Sequence, residues 1–119
     1  MSEQLGMIRF GGNIYSLGFK VVTEDLKSLG LRKNPNIITY EPGVWHYLSQ
    51  DKIKPGKDDF GGIWAARSIS GAKMLRKYMR NHYSQKTRIF RAALDNILYA
   101  NSYRVKTNGI NLVEEILIQ

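Results

Sequence analysis

Seven lysines or arginines stand between positions 73 and 91: Lys73, Arg76, Lys77, Arg80, Lys86, Arg88 and Arg91. Tyr78 and Tyr83 are interleaved with them, His82 adds a titratable ring, and Tyr99 follows nearby. Cations that neutralise phosphates release condensed counterions, so such a cluster binds nucleic acid without sequence preference. Exposed tyrosine rings stack on unpaired bases. Lys73, Arg76, Lys77, Arg80 and Lys86 are therefore the candidate nucleic-acid-binding residues. The plainer reading is a solvated helix face whose tyrosines turn into the core. Arg88 and Arg91 point to opposite faces of a regular strand, so one of the two leaves the patch.

Other constellations are sparser. His46 and His82 are the two histidines, and as a general acid–base pair they suit metal-free phosphodiester cleavage. The simpler role for His82 is a favourable interaction with a helix C-terminus. Two histidines and no cysteine give no zinc site and no disulfide. Arg9, Ser68 and Glu114 follow the order of an ADP-ribosyltransferase-like site, an order that chance also supplies. Glu114 and Glu115 are adjacent on a strand, so they face opposite ways and form no dyad; one of them is expected to meet Arg104 or Lys106 across a hairpin. Glu24-Asp25 and Asp58-Asp59 are the remaining acidic pairs. Gly11-Gly12 and Gly61-Gly62 lack the Lys-Ser or Lys-Thr of a phosphate loop and read as turns. Trp45 and Trp64 read as core anchors. No catalytic residue, metal site or cofactor is assigned.

The element that positions the cationic cluster is a strand–helix–strand unit over residues 61–93. Ile63-Trp64-Ala65-Ala66 is an apolar strand, and Ser68 or Ser70 caps the helix that follows, because a serine oxygen accepts orphan first-turn N–H groups. Over residues 69–83, Ala72, Leu75, Tyr78, Met79 and Tyr83 recur at helical spacing, with Lys73, Arg76, Lys77 and Arg80 assigned to the opposite arc. Residues 87–94 form the second strand, ended by Asp95-Asn96.

Upstream, residues 7–10 and 14–22 read as strands joined by the Gly11-Gly12-Asn13 turn. Thr23 opens one or two helical turns, residues 36–40 form a short strand, Glu41-Pro42-Gly43 turns the chain, and residues 44–48 resume a strand. Residues 49–59 are an exposed loop. Near the end, residues 103–106 alternate apolar and cationic side chains as a half-exposed strand does, Asn108-Gly109 is a hairpin turn, and residues 110–118 form the last strand. The sum is an α+β fold: a mainly antiparallel sheet of six or seven strands packed on one principal helix, residues 69–83.

The chain has 119 residues, enough for a single domain over 1–119 with one core. Eighteen basic and ten acidic residues leave a net charge of +8, which favours nucleic acid or an acidic protein as partner. No apolar run approaches the ~18 residues of a membrane span. No cationic stretch followed by an apolar core opens the sequence, which predicts an intracellular protein without a secretion signal.

The order of segments resembles a family of small uncharacterised domains of phages, large viruses and bacteria. The parts that carry the likeness are Gly18-Phe19-Lys20-Val21-Val22, Tyr40-Glu41-Pro42-Gly43-Val44-Trp45 and Gly61-Gly62-Ile63-Trp64-Ala65-Ala66. A helix with Ala72, a strand from Arg88, Tyr103-Arg104-Val105 and Leu112-Val113-Glu114-Glu115-Ile116 complete it. Many such domains carry a histidine or cysteine near the Gly-Ile-Trp segment, where Trp64 stands here. The resemblance implies a fold and no particular activity. The expected role is a binding module for nucleic acid; the alternative is a protein-interaction module, such as a viral or phage accessory factor, with a transferase or nuclease third.

Overall fold

A computed structural model describes residues 5–31, 37–57 and 60–117. The expectations for residues 1–4, 32–36, Asp58-Asp59 and Ile118 lie outside those residues. Six strands and one α-helix follow in the order β1 (Met7–Phe10), β2 (Asn13–Thr23), β3 (Trp45–Tyr47), β4 (Ile63–Ala66), α1 (Ile69–Tyr83), β5 (Thr87–Ala100) and β6 (Arg104–Ile116).

All pairings are antiparallel. β1 and β2 form the expected hairpin, Phe10 opposite Asn13, and Gly11 and Gly12 supply its positive φ angles of 59° and 85°. β2 runs against β5 from Ser16–Leu94 to Thr23–Thr87, and β5 runs against β6 along most of its length. β6 then pairs with β4 through Ala66–Arg104 to Ile63–Thr107, and β4 returns to β2 at Phe19–Ala66. The cycle β2–β5–β6–β4 is thus closed, and β3 extends β6 beside Asn111 to Gly109.

Such a ring needs curvature, and β5 supplies it with register shifts at Arg91/Ala92 and Ile97/Tyr99. Asp95-Asn96 therefore does not end the strand: Asn96 takes the left-handed conformation, φ 59°, and the strand continues to Ala100. Asparagine tolerates that conformation whether a turn or a bulge requires it, which is why the two look alike in sequence.

The Asn108-Gly109 hairpin is likewise corrected. β6 passes straight through it, and the chain reverses instead at residues 101–103, where Asn101 Oδ1 accepts the N–H groups of Tyr103 and Arg104 at 2.8 and 2.9 Å. Gly109 serves a different need. A Cβ there would lie 2.2 Å from Cε1 of Tyr47, so glycine lets the Tyr47 ring cross the strand and donate its hydroxyl to Asp95 at 2.7 Å. The helical turns expected after Thr23 are absent; Leu26 has φ 66°, and Lys27 bridges Thr39 instead. That isolated bridge also stands where the strand over 36–40 was expected.

Alternation along the strands builds two apolar clusters. One gathers Val22, Phe90, Ala92, Leu94, Ile63, Val105 and Leu112 with their neighbours. The other joins Val21, Ile89 and Ala72 of α1, with Phe19, Ile69 and Leu75 against them. Neither tryptophan belongs to the buried set. Trp45 lies half-buried among the rings of Phe10, Tyr15 and Tyr47, and Trp64 lies beneath the Arg104 guanidinium, 3.9 Å from its ring centre. Lys106 is also corrected: it is fully buried, its stem packed against Gly62, its Nζ donating to Phe60 O at 3.2 Å and lying 5.6 Å from the Trp64 ring centre.

Candidate functional site

Helix α1 spans the expected residues, Ile69–Tyr83. Ser68 is its N-cap, with Oγ accepting the Gly71 N–H at 3.1 Å. Ser84, in the left-handed conformation at φ 51°, ends it, and its N–H returns to Arg80 O. Four of the helix's fifteen residues are Lys or Arg and none is acidic.

Ala72 and Met79 are buried, while Lys73, Lys77 and Arg80 are exposed, and so is Lys86 in the connection to β5. Arg76 departs from its assigned arc and is half-buried. Four helical residues advance about 400°, which leaves Arg76 only about 40° from Ala72. Among the described residues, none of these five cations forms an ion pair.

The tyrosines also depart from the apolar arc. Tyr78 is 42% and Tyr83 56% exposed. Tyr78 stacks on His82 with ring centres 4.2 Å apart and planes 27° apart, and meets Tyr83 edge-on at 6.0 Å. His82 Nδ1 lies 3.2 Å from Tyr78 O. Hydrogen bonding to Tyr78 raises the pKa of the Tyr83 phenol. The last two turns of α1 therefore combine three ring faces with Lys77 and Arg80.

Arg88 and Arg91 are drawn into pairs on β6. Arg88 forms a two-pronged bond to Glu115, Nε–Oε2 2.9 Å and Nη2–Oε1 2.7 Å, and that bond lowers the Glu115 pKa. Arg91 Nε stands 3.7 Å from Glu114. Glu114 and Glu115 thus meet β5 arginines, and not Arg104 or Lys106, since β5 is the strand opposite them.

The members of the enzyme-like groupings have other partners or places in the fold. His46 accepts the Glu41 N–H through Nε2 at 2.9 Å and lies edge-on to Tyr40, whereas His82 is engaged within α1. Ser68 is committed to capping, Arg9 lies on the outer β1 strand, and Glu114 faces Arg91. Among the described residues no cluster of three His, Cys, Asp or Glu is placed to hold a metal, and no helix is long and apolar enough to cross a membrane.

Lys20 was not singled out by its sequence, where it is one polar residue in an apolar strand. It shares the inward face with Val22 and retains only 9% exposure. Its Nζ donates to Trp64 O at 2.6 Å and lies 5.8 Å from the centre of the Tyr40 ring. Burial pulls its pKa down to about 8. Burial also pushes the Tyr40 phenol up to about 12, and Tyr40 Oη has no hydrogen-bond partner among the described residues. A lysine at a strand's alternation slot, flanked by apolar neighbours, was the available sign.

No family model, curated protein or solved structure matches the chain.

Proposed function

We propose that this protein binds nucleic acid, preferentially single-stranded, through the outward arc of α1. In this reading the helix lies on the sheet through Ile69, Ala72 and Leu75, and turns Lys73, Lys77 and Arg80 to the solvent with Lys86 beside them. Arg76 contributes at the rim. The observation that carries the proposal is the exposed Tyr78–His82–Tyr83 group beside cations on an acid-free helix. A helix that used charge for solubility alone would mix signs and has no need of exposed rings. Phosphate contacts supply affinity without sequence preference, and the rings supply stacking. An acidic protein is the alternative partner, and the rings favour nucleic acid over it.

A mobility-shift titration with random single-stranded DNA and RNA at moderate salt tests the reading. Binding at micromolar protein is expected, with Lys77→Ala and Arg80→Ala together weakening it alike for all sequences. Tyr83→Ala removes one stacking platform and costs about 1–3 kcal/mol on single strands. Absence of a shift at micromolar protein removes the proposal.

A further inference from the structure

A cavity of about 400 Å³ opens between β2, β4, the start of α1 and residues 28–31 and 37–40. Its wall is mostly apolar, with Leu29, Ile38, Met74 and Leu75 among the side chains. Two cations, Lys20 and Arg104, line it, and no Asp or Glu does so among the described residues. Residues 32–36, which join two lining residues, contain no acid in their sequence either.

The two cations differ. The Arg104 guanidinium lies over the Trp64 ring, 3.9 Å from its centre. Lys20 is more than nine-tenths buried and has one hydrogen-bond acceptor, Trp64 O. An ammonium has three donors, so two of them lack a protein acceptor among the described residues. A buried charge normally has a partner; here the partner's place opens on an apolar cavity. The volume is at the small end of ligand pockets, which run from about 300 to 1,000 Å³.

We propose that this cavity binds a small apolar monocarboxylate, with its carboxylate on the Lys20 ammonium and its apolar body against Leu29, Ile38, Met74 and Leu75.

The pH response follows from the groups around Lys20. In the free protein its amine loses its proton near pH 8, because burial disfavours the charge. A bound carboxylate favours the charged form, so binding above pH 8 takes up a proton. Among the described residues, the other titratable or charged groups lining the cavity are Tyr40, Tyr103 and Arg104. Tyr40 stays neutral until about 12, and arginine stays charged throughout.

The test titrates the whole protein with octanoate and with octanol, following the Met74 methyl signal by NMR. Octanoate is expected to shift that signal and to bind at least tenfold more tightly than octanol at pH 7. Its affinity should fall by up to about tenfold per pH unit above pH 8. Lys20→Met should reduce octanoate affinity to that of octanol while leaving octanol binding in place. Equal affinity for the two ligands, no Met74 response to either at millimolar concentration, or an affinity constant from pH 7 to 9.5 overturns the proposal. The pH series uses only the unaltered protein, so it decides the matter even if Lys20→Met does not fold.

Discussion

Lys20 is held in the fold against its own solvation. Its pKa of about 8 lies below the ordinary 10.5, so between those values the unfolded chain carries more protons than the folded one. Stability therefore rises with pH across that window, by an amount approaching about 3 kcal/mol from this group. Tyr40 acts in the opposite direction at higher pH. Its phenol stays neutral to about 12 in the fold but ionises near 10 when unfolded, so stability falls above about pH 10. Denaturant midpoints from pH 7 to 11 should climb from pH 8, peak near pH 10 and then decline. Lys20→Met should raise the midpoint at pH 7 and flatten the climb; an unchanged slope in that variant contradicts the assignment to Lys20. A destabilising buried charge beside a cavity fits a residue kept for binding, since such strain gathers at functional positions. Sequence alone does not mark it, because the strand pattern that makes Lys20 face inward equally permits an edge lysine facing water.

At the scale of elements, α1 was legible because its signals are local. Ser68 caps the first turn, and the spacing of Ala72 and Met79 fixes the buried side. Ser68→Ala should cost about 1 kcal/mol of stability, read as a lower thermal midpoint; no loss would mean that the cap bond contributes nothing. β1, the Gly11-Gly12 turn and β4 were legible for the same reason. The far end of the sheet was not. Asn108-Gly109 carries a hairpin signature, yet the glycine answers to Tyr47, a residue 62 positions away in sequence, whose ring leaves no room for a Cβ. Asn96 bends a strand by the same conformation that would end one. Such residues report local backbone freedom, and tertiary contacts decide its use. Gly109→Ala should therefore displace the Tyr47 ring, break its bond to Asp95 and destabilise the fold by about 1–3 kcal/mol. Retention of full stability would show that the ring can move aside freely. The tyrosines of α1 show a related limit: helical spacing gives an arc, but not how much of that arc is covered, and Tyr78 and Tyr83 are exposed.

Across the whole molecule, positive charge is unevenly placed. Residues 60–94 hold eight Lys or Arg and no acid. Arg88 and Arg91 are turned toward Glu115 and Glu114 on β6 and Arg67 donates to Asn101 O, which leaves Lys73, Lys77, Arg80 and Lys86 exposed and Arg76 half-buried. The most direct test is the salt dependence of binding to a random single-stranded oligonucleotide, followed by fluorescence anisotropy. Phosphates engaged by Lys73, Lys77 and Arg80 contribute about −2 to the slope of log affinity against log salt, since each contributes about −0.7. The Lys73→Ala, Lys77→Ala, Arg80→Ala variant should lower the magnitude of the slope by about 2, leaving the share of Arg76 and Lys86, while keeping the circular-dichroism spectrum of the unaltered protein. An unchanged slope in the variant, or no binding by the unaltered protein at micromolar concentration, contradicts the account.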